Sequence, residues 1–244
     1  MAFKLPEDTA TRPIAIVGAG TLGRRMVLML ATRGAEARRY DPDAAVREAG
    51  VAFAREQLPR VLETIQDGKA GALVGCDDLE AALQDAWHVV EAVPEKLELK
   101  KAVFRQIDAL SAPDAILASN SSSYPSSAFA DSVTNPARLL NTHYLMPPRA
   151  TPVELMSCGH TDPAVIRVMA DVLPGYGLTP YISCNARAWA SPTTASGPPS
   201  SARRWRWWPK AWLPRRSWTR STPRPPARRA ALAAAWMPWG GTWC

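Results

Sequence analysis

The chain has 244 residues, of which 47% are apolar and 21% are charged, a balance typical of folded globular proteins. No stretch approaches the roughly 18 uninterrupted apolar residues of a membrane-spanning helix, and residues 1–6 lack the apolar core of a secretory signal. We therefore expect a cytoplasmic protein without a membrane partner. The four cysteines are scattered without C-x-x-C spacing, so we expect neither a disulfide framework nor a metal site.

The net charge of +7 combines two unlike segments. Residues 185–244 contain ten Arg, one Lys and nine of the ten Trp, but neither Asp nor Glu. Residues 1–184 hold the other 18 of the 29 basic residues and all 22 acidic residues, a net charge of −4. This change in composition predicts a folded domain over residues 1–184 and a separate basic tail over residues 185–244.

The first predicted elements have the order of a dinucleotide-binding βαβ unit. An apolar strand at residues 14–17 leads into a glycine-rich turn and a helix that ends near Gly34, and a second strand at residues 36–40 ends at Asp41. The turn has the pattern G-x-G-x-x-G and comprises Gly18, Ala19, Gly20, Thr21, Leu22 and Gly23. An ordinary glycine turn is the alternative, but the strand, the helix and the acidic residue together favour a nucleotide site.

The positions of this unit have separate physical tasks. Gly18 allows the tight turn after the strand, Gly20 lets the backbone approach a pyrophosphate, and Gly23 lets helix and strand pack closely. The free N–H groups at the start of the helix attract the phosphate charge. Asp41 is placed to accept hydrogen bonds from the adenosine ribose and would repel a 2′-phosphate, which predicts NAD as the cofactor.

The alternation of strands and helices continues through residue 182. Further helices are predicted at residues 43–66, 79–86, 95–110 and 162–173. Further strands are predicted at residues 88–93, 115–118, 138–144, 153–156 and 178–182. Repeated βα alternation with short buried strands predicts an α/β fold with a Rossmann-type, doubly wound and mostly parallel sheet, followed by an irregular basic tail.

Three later segments, residues 91–100, 118–123 and 143–155, resemble motifs of the L-3-hydroxyacyl-CoA dehydrogenase family. They are similar to its E-A-(I/V)-x-E-x-L-x-x-K, to its S-N-T-S-S, and to its H-F-F-N-P followed by V-E. The likeness covers residues 13–184, most of the family's NAD-binding domain. It implies NAD-dependent oxidation of the 3-hydroxyl of an L-3-hydroxyacyl-CoA, a step of fatty acid β-oxidation.

The resemblance also implies roles for five residues. It makes His143 the general base and Glu154 its partner, puts Ser122 beside the substrate oxygen, and puts Glu95 and Lys100 near the nicotinamide end of the cofactor. The chemistry suits these residue types. A neutral imidazole can take a hydroxyl proton near neutral pH, and a carboxylate on its other nitrogen fixes the tautomer and stabilises the imidazolium.

Several of these residues also have structural interpretations. Ser122 belongs to a serine run that could cap a helix beginning near residue 125. Glu95 could be a first-turn charge on a helix dipole, and Lys100 could lie on a solvated helix face. Of the other histidines, we interpret His88 as structural because it lies in an apolar run, and His160 as a solvated loop residue.

The sequence departs from the family at Met146, which replaces the Asn of H-F-F-N-P and removes one polar contact. The substrate could therefore be smaller than an acyl-CoA. A related branch, the L-gulonate 3-dehydrogenase and lambda-crystallin type, has a similar fold without an acyl-CoA substrate. A hydroxy-acid dehydrogenase of that type is the alternative function.

The tail does not match what the resemblance implies. In the family, a helical domain that forms much of the dimer interface opens with Gly-Phe-(Ile/Val)-x-Asn-Arg, and residues 185–244 lack that motif. Our hypothesis is out-of-frame translation of a GC-rich gene, so we expect NAD binding with little or no dehydrogenase activity. The alternative to a dehydrogenase is a non-enzymatic NAD-binding module whose Arg/Trp-rich tail binds single-stranded nucleic acid. Of the two kinds of partner, we expect a small-molecule substrate rather than a nucleic acid.

Overall fold

A computed structural model describes residues 3–18 and 20–183, and within them eight strands form one sheet. In chain order the strands are β1 (Ile14–Val17), β2 (Ala37–Tyr40), β3 (Leu73–Cys76), β4 (His88–Glu91), β5 (Ile116–Ser119), β6 (Leu139–Met146), β7 (Ala150–Ser157) and β8 (Thr179–Ile182). Their order across the sheet is β3-β2-β1-β4-β5-β6-β7-β8. The β6–β7 hairpin is antiparallel, and the other neighbouring pairs are parallel.

Five helices of the described residues cover the sheet. They are α1 (Thr21–Leu30), α2 (Ala44–Leu62), α3 (Leu79–Leu83), α4 (Leu97–Leu110) and α5 (Pro163–Val172). Alternate residues of β1 face different cores: Ile14 and Ile16 pack with α1, α2 and α5, whereas Ala15 and Val17 pack with α3 and α4. A sheet with helices on both faces is the doubly wound arrangement, so the predicted Rossmann-type α/β fold is confirmed.

The helix starts differ in a way that affects ligand binding. Asp43 caps α2 by accepting from the Val46 N–H (3.1 Å), and Asp162 caps α5 by accepting from the Ala164 N–H (2.8 Å). Helix α1 begins after Gly20, where no side chain caps the first turn and no acidic residue occupies it. The first N–H groups of α1 are therefore left to an external anion.

The topology places a crevice at the start of α1. Strand β1 lies between β2 and β4, and the chain leaves β1 toward one side of the sheet and returns at β4 on the other. Because ligands of open α/β sheets bind beyond the carboxyl ends of the strands at such a reversal, the site is expected beyond Val17 and Glu91.

The structure corrects three local predictions. Strand β3 was not predicted, because Leu73–Cys76 contains a glycine and lies partly exposed at the sheet edge, so it lacks a buried apolar run. Helix α4 begins at Leu97 rather than 95, because Pro94 and Glu95 belong to the preceding loop. The helix expected near residue 125 is a set of short 3₁₀ turns.

The predictions for the tail, residues 185–244, and for Ala19 lie outside the described residues. Among the residues that the structure describes, no helix has both the length and the apolar character needed to cross a membrane.

His88 provides a stability test. It is fully buried in β4, where its Nδ1 lies 3.2 Å from the Ile116 carbonyl oxygen, and burial lowers its pKa to about 4. The unfolded chain takes up a proton at this histidine near pH 6.5, but the folded chain resists protonation until about pH 4. The free energy of unfolding should therefore fall as the pH drops between these two values.

We expect His88→Asn, which keeps an N–H near Ile116, to remove about 3 kcal/mol of this acid-induced loss. Denaturant unfolding of both proteins across pH 7 to pH 4 measures the difference. Parallel pH dependence in the two proteins would contradict the account of His88.

Candidate active site

The glycine-rich turn brings three backbone segments together. Gly18 has a φ of +108°, and a Cβ on it would lie 2.6 Å from the Ala92 carbonyl oxygen. A Cβ on Gly23 would lie 2.1 Å from the Gly18 carbonyl oxygen. At Gly20, by contrast, a Cβ would meet no atom within 4 Å, so the backbone there borders open space at the start of α1. This geometry fits a dinucleotide pyrophosphate, which needs close approach to uncapped N–H groups.

A cavity of about 770 Å³ begins at this turn and follows the carboxyl ends of the central strands. Of the residues predicted from the sequence, the cavity is lined by Gly18, Gly20, Leu22, Asp41, Glu95, Ser122 and His143. Thr21, Gly23, Lys100 and Glu154 do not line it. Seven of the predicted cofactor and substrate residues thus converge on one crevice.

Asp41 follows β2 at the cavity wall, and its Oδ1 accepts the Asp43 N–H (3.0 Å). Of the two preceding arginines, Arg38 is bound beside α3, and Arg39 interacts electrostatically with Asp41. The Arg38 guanidinium donates to the Gln84 carbonyl (2.6 Å) beside α3. Arg39 is buried so closely against Gly50 that a Cβ there would overlap its guanidinium, and burial lowers the pKa of Arg39 to about 10. Asp41 lines the crevice, where a carboxylate suits a ribose hydroxyl.

His143 and Glu154 are directly paired across the β6–β7 hairpin. The His143 Nδ1 lies 2.9 Å from the Glu154 Oε2, with the side chains 16% and 31% exposed. Because an ionised carboxylate only accepts hydrogen bonds, this contact places the proton of the neutral ring on Nδ1 and makes Nε2 the basic nitrogen. The pair can therefore remove a proton from a group in the crevice.

The serine loop after β5 is attached to Glu95. The Glu95 carboxylate accepts the Ser122 N–H (2.8 Å) and the Ser121 hydroxyl (2.8 Å), so Glu95 is more than a charge on a helix dipole. Ser122 is exposed at the cavity, where its hydroxyl can meet a ligand. Glu95 therefore fixes the backbone on which Ser122 stands.

Lys100 does not lie on a solvated helix face. Its side chain is 1% exposed, and its Nζ lies 2.8 Å from the Glu91 Oε1 and 3.7 Å from the Glu95 Oε2. Lys100 therefore neutralises carboxylates at the carboxyl end of β4 and does not line the crevice.

Sequence reasoning assigned no role to Glu91 or Asn120. Glu91 is fully buried, and the Asn120 Oδ1 accepts the Tyr144 N–H (2.9 Å) beside His143. The signal for Glu91 was an ionisable residue that ends an otherwise apolar strand, since charged residues are almost never fully buried unless paired. Asn120 had no comparable signal, because its contact joins segments 24 residues apart.

The uncapped glycine turn, the acidic residue after β2 and the crevice at the strand reversal define a dinucleotide-binding domain of the Rossmann type. The chain belongs to the 3-hydroxyacyl-CoA dehydrogenase family, since residues 13–185 match the family described as 3-hydroxyacyl-CoA dehydrogenase, NAD binding domain. The resemblance predicted from the sequence is confirmed, and so is NAD as the cofactor.

The chain is also similar to individual proteins. It is 34% identical over 180 residues to 5-formyl-3-hydroxy-2-methylpyridine 4-carboxylate 5-dehydrogenase of Mesorhizobium japonicum, covering 70% of this chain and 57% of the relative. It is 34% identical over 170 residues to the lambda-crystallin homolog of Bos taurus, covering 66% of this chain and 53% of the relative. The chain spans about half the length of these curated relatives.

Among solved structures, the chain resembles the crystal structure of 5-formyl-3-hydroxy-2-methylpyridine 4-carboxylic acid 5-dehydrogenase, an NAD⁺-dependent dismutase. The TM-score is 0.65 at 30% sequence identity, and the match covers 70% of this chain and 57% of that chain. The likeness supports the same doubly wound fold for the described residues.

The glycine turn provides a matched pair of variants. We expect Gly20→Ala to fold normally, because its Cβ meets no neighbour, but to weaken NAD⁺ binding about tenfold by occupying the phosphate approach. Gly23→Ala should lower the unfolding temperature, because its Cβ would overlap the Gly18 carbonyl. Calorimetric titration with NAD⁺ and thermal unfolding measure the two effects. Wild-type NAD⁺ affinity in Gly20→Ala would contradict this placement.

Proposed function

We propose that this chain carries the cofactor-binding and proton-accepting half of an NAD-dependent dehydrogenase that oxidises the 3-hydroxyl of an L-3-hydroxyacyl-CoA. The observation that carries the proposal is the 2.9 Å contact of His143 with Glu154, together with the position of His143 on the same crevice as the glycine turn. An imidazole held by a carboxylate at the rim of a nucleotide crevice suits the removal of a hydroxyl proton.

The oxidation of a secondary alcohol separates a proton from the oxygen and a hydride from the carbon. His143 Nε2 accepts the proton, while Glu154 holds the ring and stabilises the imidazolium. Ser122 holds the substrate oxygen in line with this nitrogen. NAD held at the glycine turn would supply the hydride acceptor.

The remaining residues hold the cofactor or its surroundings. The start of α1, with Gly18 and Gly20, binds the pyrophosphate, and Asp41 binds the adenosine ribose. Glu95 lies at the nicotinamide end, and Lys100 supports it from within the domain. In this proposal, residues 1–184 form one NAD-binding domain.

A hydroxy acid without coenzyme A is the second candidate substrate. Neither the pyridine carboxylate dehydrogenase nor the lambda-crystallin homolog is named for a thioester substrate. Met146 also supports this candidate, because it stands where the acyl-CoA enzymes have an asparagine, and the residue is 37% exposed at the end of β6. A hydroxy-acid dehydrogenase of the lambda-crystallin type would use the same His143–Glu154 chemistry.

We expect slow turnover because the chain lacks the motif that begins the domain forming the second wall of the crevice in the family. Catalysis needs a substrate that is positioned and shielded from water, and residues 185–244 lack the motif with which the family's helical domain begins. We therefore propose that the chain binds NAD with little turnover.

The coding DNA tests the cause of the missing motif. A one-base shift near codons 185–190 should restore Gly-Phe-(Ile/Val)-x-Asn-Arg, and the frameshift hypothesis fails if neither alternative frame contains it.

The proton-transfer role is tested by His143→Gln, with Glu154→Gln as its partner variant. We expect His143→Gln to lower the residual turnover of the wild type by up to roughly 10³-fold, because the proton acceptor is removed, and to leave NAD⁺ affinity within about threefold. Formation of NADH from NAD⁺ is followed with 3-hydroxybutyryl-CoA and with L-gulonate, which separates the two substrate candidates.

Calorimetric titration of the same variants with NAD⁺ is the control for the nucleotide site. Equal and measurable NADH formation by the wild type and His143→Gln would contradict the role of His143. If the tail does not complete the crevice, we expect neither substrate to be oxidised at an enzyme-like rate.

A further inference from the structure

Glu91 is the most enclosed acidic side chain near the crevice. It ends strand β4 and is fully buried. Its Oε1 accepts the Val93 N–H (2.7 Å) and the Lys100 ammonium (2.8 Å), and its Oε2 accepts the Ser119 hydroxyl (2.6 Å). Both oxygens are therefore satisfied and the charge is balanced, which is the condition under which a protein tolerates a buried carboxylate.

The contacts of Glu91 continue to the serine loop. The Ser119 Oγ, held by Glu91, accepts the Ser121 N–H (3.1 Å). The Ser121 hydroxyl donates to the Glu95 Oε2 (2.8 Å), and the Glu95 Oε1 accepts the Ser122 N–H (2.8 Å). A continuous series of hydrogen bonds thus leads from the buried carboxylate to the exposed Ser122, and each bond restricts the next residue of the loop.

A second route leads from Glu91 to the strand of His143. The Glu91 backbone carbonyl accepts the Asn120 N–H (2.8 Å), and the Asn120 Oδ1 accepts the Tyr144 N–H (2.9 Å). Tyr144 directly follows His143 in β6 and is buried. The residue that holds the serine loop therefore also connects that loop with the strand that carries the imidazole.

We propose that Glu91 is a positioning residue of the active site. With Lys100 as its counter-ion, it holds residues 119–122 in the conformation that presents Ser122 and Glu95 to the crevice that His143 lines. Glu91 does not line the crevice, and it acts through Ser119 and Lys100. The importance of Glu91 for catalysis rests on the proposed dehydrogenase function, whereas its effect on the conformation of residues 119–122 does not.

The test is amide hydrogen exchange of the full chain, followed by NMR without cofactor. Glu91→Gln keeps the size of the side chain, but leaves Lys100 with only the more distant Glu95 carboxylate (3.7 Å) and places N–H groups where the site already contains donors. We expect the Ser121 and Ser122 amides to exchange about tenfold faster, beyond any change at core amides such as that of Val90.

Two further variants separate positioning from general stability. Ser119→Ala keeps the ion pair but removes the link to the loop, and should accelerate the same two amides while core exchange stays unchanged. Asp108→Asn breaks another buried ion pair, that of Asp108 with Arg138 (2.7 Å). The Asp108 carboxylate also accepts the Thr134 N–H (2.8 Å). This control should accelerate the Thr134 amide and leave the serine loop as it is.

Several results would overturn the proposal. One is an unchanged exchange rate for Ser121 and Ser122 in both Glu91→Gln and Ser119→Ala. Another is a loop acceleration equal to that of the core amides, which would assign Glu91 to global stability alone. A third is equal loop acceleration in Asp108→Asn. Because the measurement needs neither NAD nor turnover, it can fail while the proposed dehydrogenase function stands, and the reverse also holds.

Discussion

The crevice depends on a close approach of backbones that only glycine permits. The turn after β1 passes against the Ala92 carbonyl at Gly18, and α1 begins against the Gly18 carbonyl at Gly23. Side chains at either position would push α1 or β4 away from β1. The uncapped start of α1 would then no longer face the gap between β1 and β4, where the other polar residues of the site collect.

Charge is distributed unevenly around this crevice. The acidic residue at the end of β4 is buried and neutralised by Lys100, whereas Asp41 and Glu95 reach the cavity. Glu154 is engaged with an imidazole that can take up a proton. The buried Glu91 is paired inside the domain, whereas Asp41 and Glu95 border the cavity while also accepting hydrogen bonds from the chain, an arrangement consistent with the high cost of burying an unpaired charge.

The sequence was most informative where one local pattern determined the structure. The glycine turn with its flanking elements predicted β1, α1 and β2, and buried apolar runs predicted β4 and β5. Strand β3 escaped prediction because its stability comes from pairing with β2 rather than from its own apolar residues. For the site, the family resemblance paired His143 with Glu154, but the role of Glu91 depends on contacts with Ser119 and Lys100, which no spacing rule encodes.

The central claim is that the nucleotide turn and the imidazole–carboxylate pair serve one ligand site. An NMR titration of the isotope-labelled chain with NAD⁺ tests it most directly. The account predicts saturable shifts of the Gly18 and Gly20 amides and of the His143 ring resonances, all with the same dissociation constant. Shifts at the glycines without any change at His143, or no saturation at the glycine turn, would contradict it.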